Sequence, residues 1–233
     1  MTDMKTRIKR LIHKVAPYAF APPQGDEGIA KVGHRNYVGG LWDEIGQLQF
    51  DFLVSHGLKP QHRLLDIACG SLRLGVKAIP YLEPEHYLGI DKEAGLIQAG
   101  LEKELDAKVR DAKKPAFVVS SSFEFEKLPR TADYAIAQSL FTHLPPPLID
   151  LCFQKLRPCL EDDGVFFATF SPSRRKMKNL DQPHDHARFG YTQAEMCEFG
   201  ERSGFRARYI GNWKHPRGQV MVEYRKKLGP AVG

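Results

Sequence analysis

Leu64-Leu65-Asp66-Ile67-Ala68-Cys69-Gly70-Ser71-Leu72-Arg73-Leu74-Gly75, answered by Tyr87-Leu88-Gly89-Ile90-Asp91, decides the fold of this chain. Arg63 to Cys69 is a short apolar run with one acid near its end, the pattern of a strand buried in a parallel sheet. Gly70 stands at the break, where a residue without a Cβ lets the backbone turn and a ligand come close. A helix is expected over Leu72–Leu82, its first amides open to an anionic group. A second strand over His86–Ile90 delivers Asp91, whose carboxylate can accept from both hydroxyls of a ribose. One crossover thus unites a close-approach loop, a helix mouth and a ribose acid, a set suited to a nucleoside-containing cofactor.

The alternation continues outward from this unit. A helix is expected over Lys92–Asp106, strands over Ala116–Ser121 and Ala132–Gln138, a helix over Pro145–Leu160 and a strand over Gly164–Phe170. Strands alternating with helices read as right-handed parallel βαβ units. After a loop over Ser171–Tyr191, Thr192-Gln193-Ala194-Glu195 is a capping box that opens a helix closing near Gly204. Arg206–Trp213 and Gln219–Lys226 then follow with no helix between them, so they pair as an antiparallel hairpin. The fold class is α/β: a doubly wound, mostly parallel seven-stranded sheet with an antiparallel C-terminal hairpin. An N-terminal helical cap precedes it.

With these residues in view, the chain resembles the class I S-adenosylmethionine-dependent methyltransferases from Arg63 almost to its end. In that family the first strand ends in an acid followed by Gly-x-Gly-x-Gly, and the second ends in an acid. This chain keeps Asp66, Gly70 and Asp91 and carries Ala68 and Leu72 where the outer glycines stand. The resemblance implies S-adenosyl-L-methionine as cofactor, with Asp66 orienting its amino group or ordered water. Ala68 and Gly70 would line its amino-acid end, and Asp91 would hold the ribose. Capping of the following loop is the structural alternative for Asp66. After the third strand the family carries an acid for the adenine amino group. Ser120-Ser121-Ser122-Phe123-Glu124 occupies that place here, so Ser122 and Phe123 are assigned to the adenine, with the register open by one residue. Gln138, at the end of the fourth strand, falls beside the transferred methyl. No Asn-Pro-Pro-Tyr type of motif follows it, which counts against methylation of exocyclic amines or glutamine. A nicotinamide dehydrogenase is disfavoured because no G-x-G-x-x-G follows the first strand.

Two histidines are candidate catalytic bases, namely His143 in Ser139-Leu140-Phe141-Thr142-His143-Leu144 and His186 in the 178–191 loop. Removal of a proton from the acceptor during an in-line displacement is the chemistry they would serve. Capping the helix that begins at Pro145 is the alternative for His143, and a polar surface loop the alternative for His186. Arg175 or Arg188 would steer an anionic acceptor. His184-Asp185-His186 has too few further ligands nearby for a metal, so none is assigned.

Net charge is +6 and unevenly spread. Residues 1–40 hold 7 Lys/Arg and 3 Asp/Glu, residues 41–170 hold 14 and 19, and residues 171–233 hold 13 and 6. An acidic centre with basic flanks points to an anionic acceptor or simply to a solvated basic surface. Thr2–Val15 reads as a basic amphipathic helix. Leu41–His56 reads as a helix with Leu41, Ile45, Leu48 and Phe52 on one face, packed on the sheet edge or serving as a lid. Tyr37, Gly39 and Gly40 lie in its approach. The division expected is 1–60 for the basic helix, linker and cap, and 61–233 for the cofactor-binding domain. No stretch nears the roughly 20 apolar residues of a membrane span. The four scattered cysteines suit a reducing cytoplasm, which is the expected compartment. The activity these readings favour is O-methylation of a small-molecule or glycan-like acceptor. An RNA or protein methyltransferase, or a non-catalytic cofactor-binding module, is the alternative.

Overall fold

The computed structural model describes residues 21–227, and the basic helix expected over Thr2–Val15 lies outside them. Helices α1 (Gly25–Val32), α2 (His34–Tyr37) and α3 (Trp42–Ser55) precede the sheet. The alternating part comprises β1 (Leu64–Ile67), α4 (Gly75–Tyr81), β2 (Tyr87–Asp91), α5 (Ala94–Ala99), α6 (Ala107–Lys113), β3 (Ala116–Val119) and β4 (Ala132–Ala137). It continues with α7 (Pro146–Leu156), β5 (Leu160–Pro172), β6 (Gly190–Tyr191), α8 (Gln193–Arg202), β7 (Phe205–Asn212) and β8 (Val220–Lys226).

The strands run in the order β3-β2-β1-β4-β5-β8-β7, with β6 paired to β5. Every pairing from β3 to β5 is parallel, whereas β8 runs antiparallel to both β5 and β7. The expected hairpin is therefore present, and the short β6 raises the expected seven strands to eight. Side-chain alternation divides the core between the two faces of the sheet. Leu65, Ile67, Leu88, Ile90, Phe166 and Tyr224 meet α7 and α8 through Phe153, Leu156 and Met196 on one face. Leu64, Tyr87, Ile136 and Phe167 meet Phe52, Leu53, Ala78 and Ile97 on the other. Helix α3 thus packs against the sheet and shares its core.

Several expected boundaries move, each for a local reason. Leu72 has a left-handed backbone (φ 67°), so residues 70–74 turn and α4 starts at Gly75 rather than at Leu72. The helix mouth expected directly after Gly70 is displaced accordingly. The helix expected over Lys92–Asp106 ends as a wide π turn over Gly100–Glu104. Asp106 then caps α6, accepting from the amides of Lys108 and Val109, which adds a helix the sequence reading lacked. Helix α7 stops at Leu156, where Arg157–Cys159 tightens into a 3₁₀ turn around Pro158. The capping box stands as expected: Thr192 Oγ1 accepts from Glu195 N at 3.1 Å, and Glu195 Oε2 accepts from Thr192 N at 2.9 Å. Among the described residues no helix is long and apolar enough to cross a membrane.

Candidate active site

The strand order reverses between β1 and β4, and ligands of open α/β sheets bind beyond the carboxyl ends of the strands at that reversal. A cavity of about 600 Å³ opens there. Asp66, Ala68, Gly70, Asp91, Phe123, Gln138, His143 and His186 all line it, drawn from five stretches of chain. Ser122 lies outside the lining, whereas Ser120 and Ser121 belong to it.

The loop after β1 keeps a glycine-like shape without the glycines. Ala68, Gly70 and Leu72 all adopt positive φ (61°, 54° and 67°), a conformation costing an L-residue roughly 1–2 kcal/mol. Leu72 is fully buried and packs with Leu74, Ile79 and Ile97, so its side chain offsets that cost. Gly70 is also required sterically, because a Cβ there would lie 2.9 Å from Cγ1 of Val38.

Asp91 Oδ2 accepts from Gly70 N at 2.8 Å, and its Oδ1 accepts from Glu93 N at 2.9 Å. Each oxygen keeps a further lone pair. Burial pushes the Asp91 carboxyl up, and the two amides pull it back. Asp66 Oδ2 accepts from the Tyr87 hydroxyl at 2.6 Å. Burial lifts its pKa to about 7 against the opposing pull of Tyr87 and Arg73.

Sequence reasoning missed a buried polar network at the inner wall. Gln138 Oε1 accepts from Arg73 Nη2 at 2.6 Å and from Gln49 Nε2 at 3.2 Å. Arg73 Nη1 donates to the carbonyls of Val38 (3.2 Å) and Gly40 (3.1 Å), binding the N-terminal approach to the core. The available signal was a lone arginine between two leucines that a packed helix start would bury.

The roof joins that approach to the 178–191 loop. The Tyr37 hydroxyl accepts from Gly25 N at 2.7 Å and donates to Asp185, which also meets Lys92 at 3.1 Å. Asp185 N donates to Gln24 Oε1 at 3.0 Å. His186 stands edge-on to Tyr37 at 5.5 Å, with Nε2 3.4 Å from the Pro23 carbonyl. Arg188 donates to Ser171 Oγ outside the cavity, Arg175 is exposed, and Arg217 borders the cavity in their place. No group of three or more potential metal ligands occurs among the described residues.

His143 Nδ1 lies 2.8 Å from the Ala187 carbonyl. A carbonyl only accepts, so Nδ1 carries the proton and Nε2 is the lone-pair nitrogen of the neutral ring. Burial lowers its pKa, opposed by the carbonyls of Ala187 and His184.

Residues 65–166 match the family described as "Methyltransferase domain". Among solved structures, the chain is similar to magnesium protoporphyrin IX methyltransferase (ChlM) from Synechocystis PCC 6803 with bound SAM. That match has 15% identity and a TM-score of 0.56, covering 97% of this chain and 98% of that one. The glycopeptide N-methyltransferase MtfA matches at 16% identity and a TM-score of 0.61, covering 79% and 90%. A TehB-like SAM-dependent methyltransferase from Corynebacterium glutamicum ATCC 13032 Kitasato matches at 16% identity and a TM-score of 0.57, covering 85% and 95%.

Proposed function

We propose that this chain is a class I S-adenosylmethionine-dependent methyltransferase and that it methylates oxygen on a small anionic acceptor, with His143 as base. The observation that carries this reading is the His143 tautomer. Its proton is held on Nδ1 by Ala187, which leaves Nε2 to receive one at a cavity wall. A base within reach of the acceptor contributes about 10²–10⁴-fold.

The residues present fit the cofactor. Two buried carboxylates, a tightly turned loop and a volume of about 600 Å³ suit a nucleoside carrying an amino-acid tail. When bound, it supplies an electrophilic methyl group on a sulfonium. Asp91 would hold the ribose hydroxyls with its free lone pairs, and Asp66 would receive the ammonium of the tail. Ala68 and Gly70 would let the tail lie against the backbone, while Ser121 and Phe123 would border the adenine. Gln138, fixed by Arg73 and Gln49, would orient the acceptor without taking its proton. The roof of Tyr37, Asp185 and His186 would exclude water, and His186 is a second base candidate over the acceptor.

Arg217 at the cavity edge and the net basic segments 1–40 and 171–233 favour a negatively charged acceptor. The relatives named above act on a tetrapyrrole and on a glycopeptide, so the fold alone does not choose the acceptor. The division into a cap over 1–60 and a cofactor domain over 61–233 belongs to this proposal, as does a reducing, cytoplasmic setting for the four free cysteines.

The test is incubation of the purified chain with methyl-labelled cofactor and fractionated cell extract. Label in an anionic low-molecular-mass fraction supports the reading. Label in RNA or protein selects the macromolecular alternative, and no transfer despite cofactor binding selects a binding module.

A further inference from the structure

Arg73 is a buried guanidinium at the cavity wall, 8% exposed, and it forms no direct ion pair with a carboxylate among the described residues; Asp66 acts on its charge only through space. Its hydrogen-bond partners are all neutral: the carbonyls of Val38 and Gly40 and the amide oxygen of Gln138. Nε is buried with no partner at all, and Gln49 Oε1, on the same wall, is likewise unsatisfied. A buried guanidinium with an unpartnered Nε and no carboxylate in contact is costly, and an anion that meets it relieves that cost. The other arginines with buried contacts here obey that rule. Arg63 is matched by Asp133 and Glu161, and Arg208 by Glu223. Arg73 is the exception, and it lies in the cavity wall beside Asp66 and Gln138. The same burial pulls its pKa down to about 10.

We infer that Arg73 is the anion receptor of this cavity and takes a carboxylate. Planar guanidinium donors match a carboxylate in pairs, and the segment holding Arg73 also carries Asp66. An acid and an arginine on one wall are complementary to the ammonium and carboxylate of an α-amino acid. The carboxylate therefore comes from the tail of the cofactor or from the acceptor, and the inference rests on the methyltransferase reading above. The carbonyls of Val38 and Gly40 also accept from this guanidinium, so ligand and N-terminal approach converge on one group.

The test compares two nucleosides by calorimetry on wild type and Arg73→Met: S-adenosylhomocysteine, and 5′-methylthioadenosine, which lacks the amino-acid tail. Loss of roughly 20-fold in affinity for S-adenosylhomocysteine with unchanged methylthioadenosine binding assigns Arg73 to the tail. If both nucleosides bind as in wild type, small carboxylates are titrated onto the S-adenosylhomocysteine complex. A rise in melting temperature in wild type that Arg73→Met abolishes assigns Arg73 to the acceptor. Equal weakening of both nucleosides means a purely structural clasp, and no difference in any arm means no anion site; either overturns the inference. Should Arg73→Met fail to fold, Arg73→Gln carries the same comparison. Failure of wild type to bind either nucleoside would overturn the methyltransferase reading instead.

Discussion

The backbone amide of Gly70 donates to Oδ2 of Asp91 at 2.8 Å, fastening the loop after β1 to the acid that ends β2. The carboxylate proposed for the ribose is thus also the strut of the loop proposed for the amino-acid tail. Asp91→Ala is expected to weaken S-adenosylhomocysteine binding at least tenfold, since hydrogen bonds to a charged group are worth about 1.5–3 kcal/mol. Asp91→Asn, which keeps one acceptor oxygen, is expected to fall between. Calorimetric titration checks both, and an unaltered Asp91→Ala would remove Asp91 from the site.

Asp66 makes the cofactor affinity depend on pH. Its carboxyl ordinarily titrates near 3.8 and here near 7, so between those values the folded chain holds this proton more tightly than the unfolded chain does. Through this group stability therefore falls as pH rises from about 4 to about 7. If Asp66 receives the cofactor ammonium as proposed, binding is expected to rise over the upper part of the same window. Asp66→Asn is expected to raise the melting temperature at pH 8 while flattening the pH dependence of S-adenosylhomocysteine affinity. A variant that melts lower at pH 8 would contradict the burial penalty.

Two residues with the same backbone conformation are expected to respond oppositely to glycine. Ala68→Gly relieves a left-handed alanine that carries little packing, and should gain up to about 1 kcal/mol. Leu72→Gly relieves the same strain but empties a fully buried site, and large-to-small core changes cost about 2–5 kcal/mol. Denaturant unfolding of both variants decides whether strain or packing governs each position.

His143→Gln is expected to lower the turnover of the labelled-acceptor reaction by about 10²–10⁴-fold while leaving S-adenosylhomocysteine affinity within twofold. Because burial lowers the His143 pKa, the acid limb of the wild-type rate profile should lie below the usual value near 6.5. Equal loss of rate and cofactor affinity would point to a structural histidine.

The roof depends on Tyr37, whose hydroxyl bridges Gly25 and Asp185. Tyr37→Phe should speed hydrogen exchange of the amides over residues 22–40 while leaving the central strands protected. Unchanged exchange would mean that packing alone holds this segment.

The readings that survived rest on short-range rules. The apolar runs at Leu64–Ile67 and Tyr87–Asp91, the Thr192–Glu195 capping box and the helix-free step from β7 to β8 are each visible within a few residues of chain. The readings that shifted depend on partners far away. Leu72 turns left-handed because its side chain fills a hole between helices, and no propensity at position 72 announces that. The end of β3 was legible only to within one residue, because Ser120, Ser121 and Ser122 are chemically identical and only the path of the chain decides which of them line the cavity. Arg73 escaped notice because its partners, Val38, Gly40 and Gln138, stand 35, 33 and 65 positions away.

The amino-acid sequence alone determined the alternating α/β order, the carboxylates Asp66 and Asp91 at two strand ends, and the class of cofactor they suit, since strand polarity and side-chain period are local properties. Only the tertiary structure decided which side chains meet. The strand order reverses at β1 and β4, the N-terminal approach folds back over the mouth, and a guanidinium enters the core without a direct ion pair. These follow from the packing of distant surfaces, where burial sets the electrostatic cost of every charge it encloses.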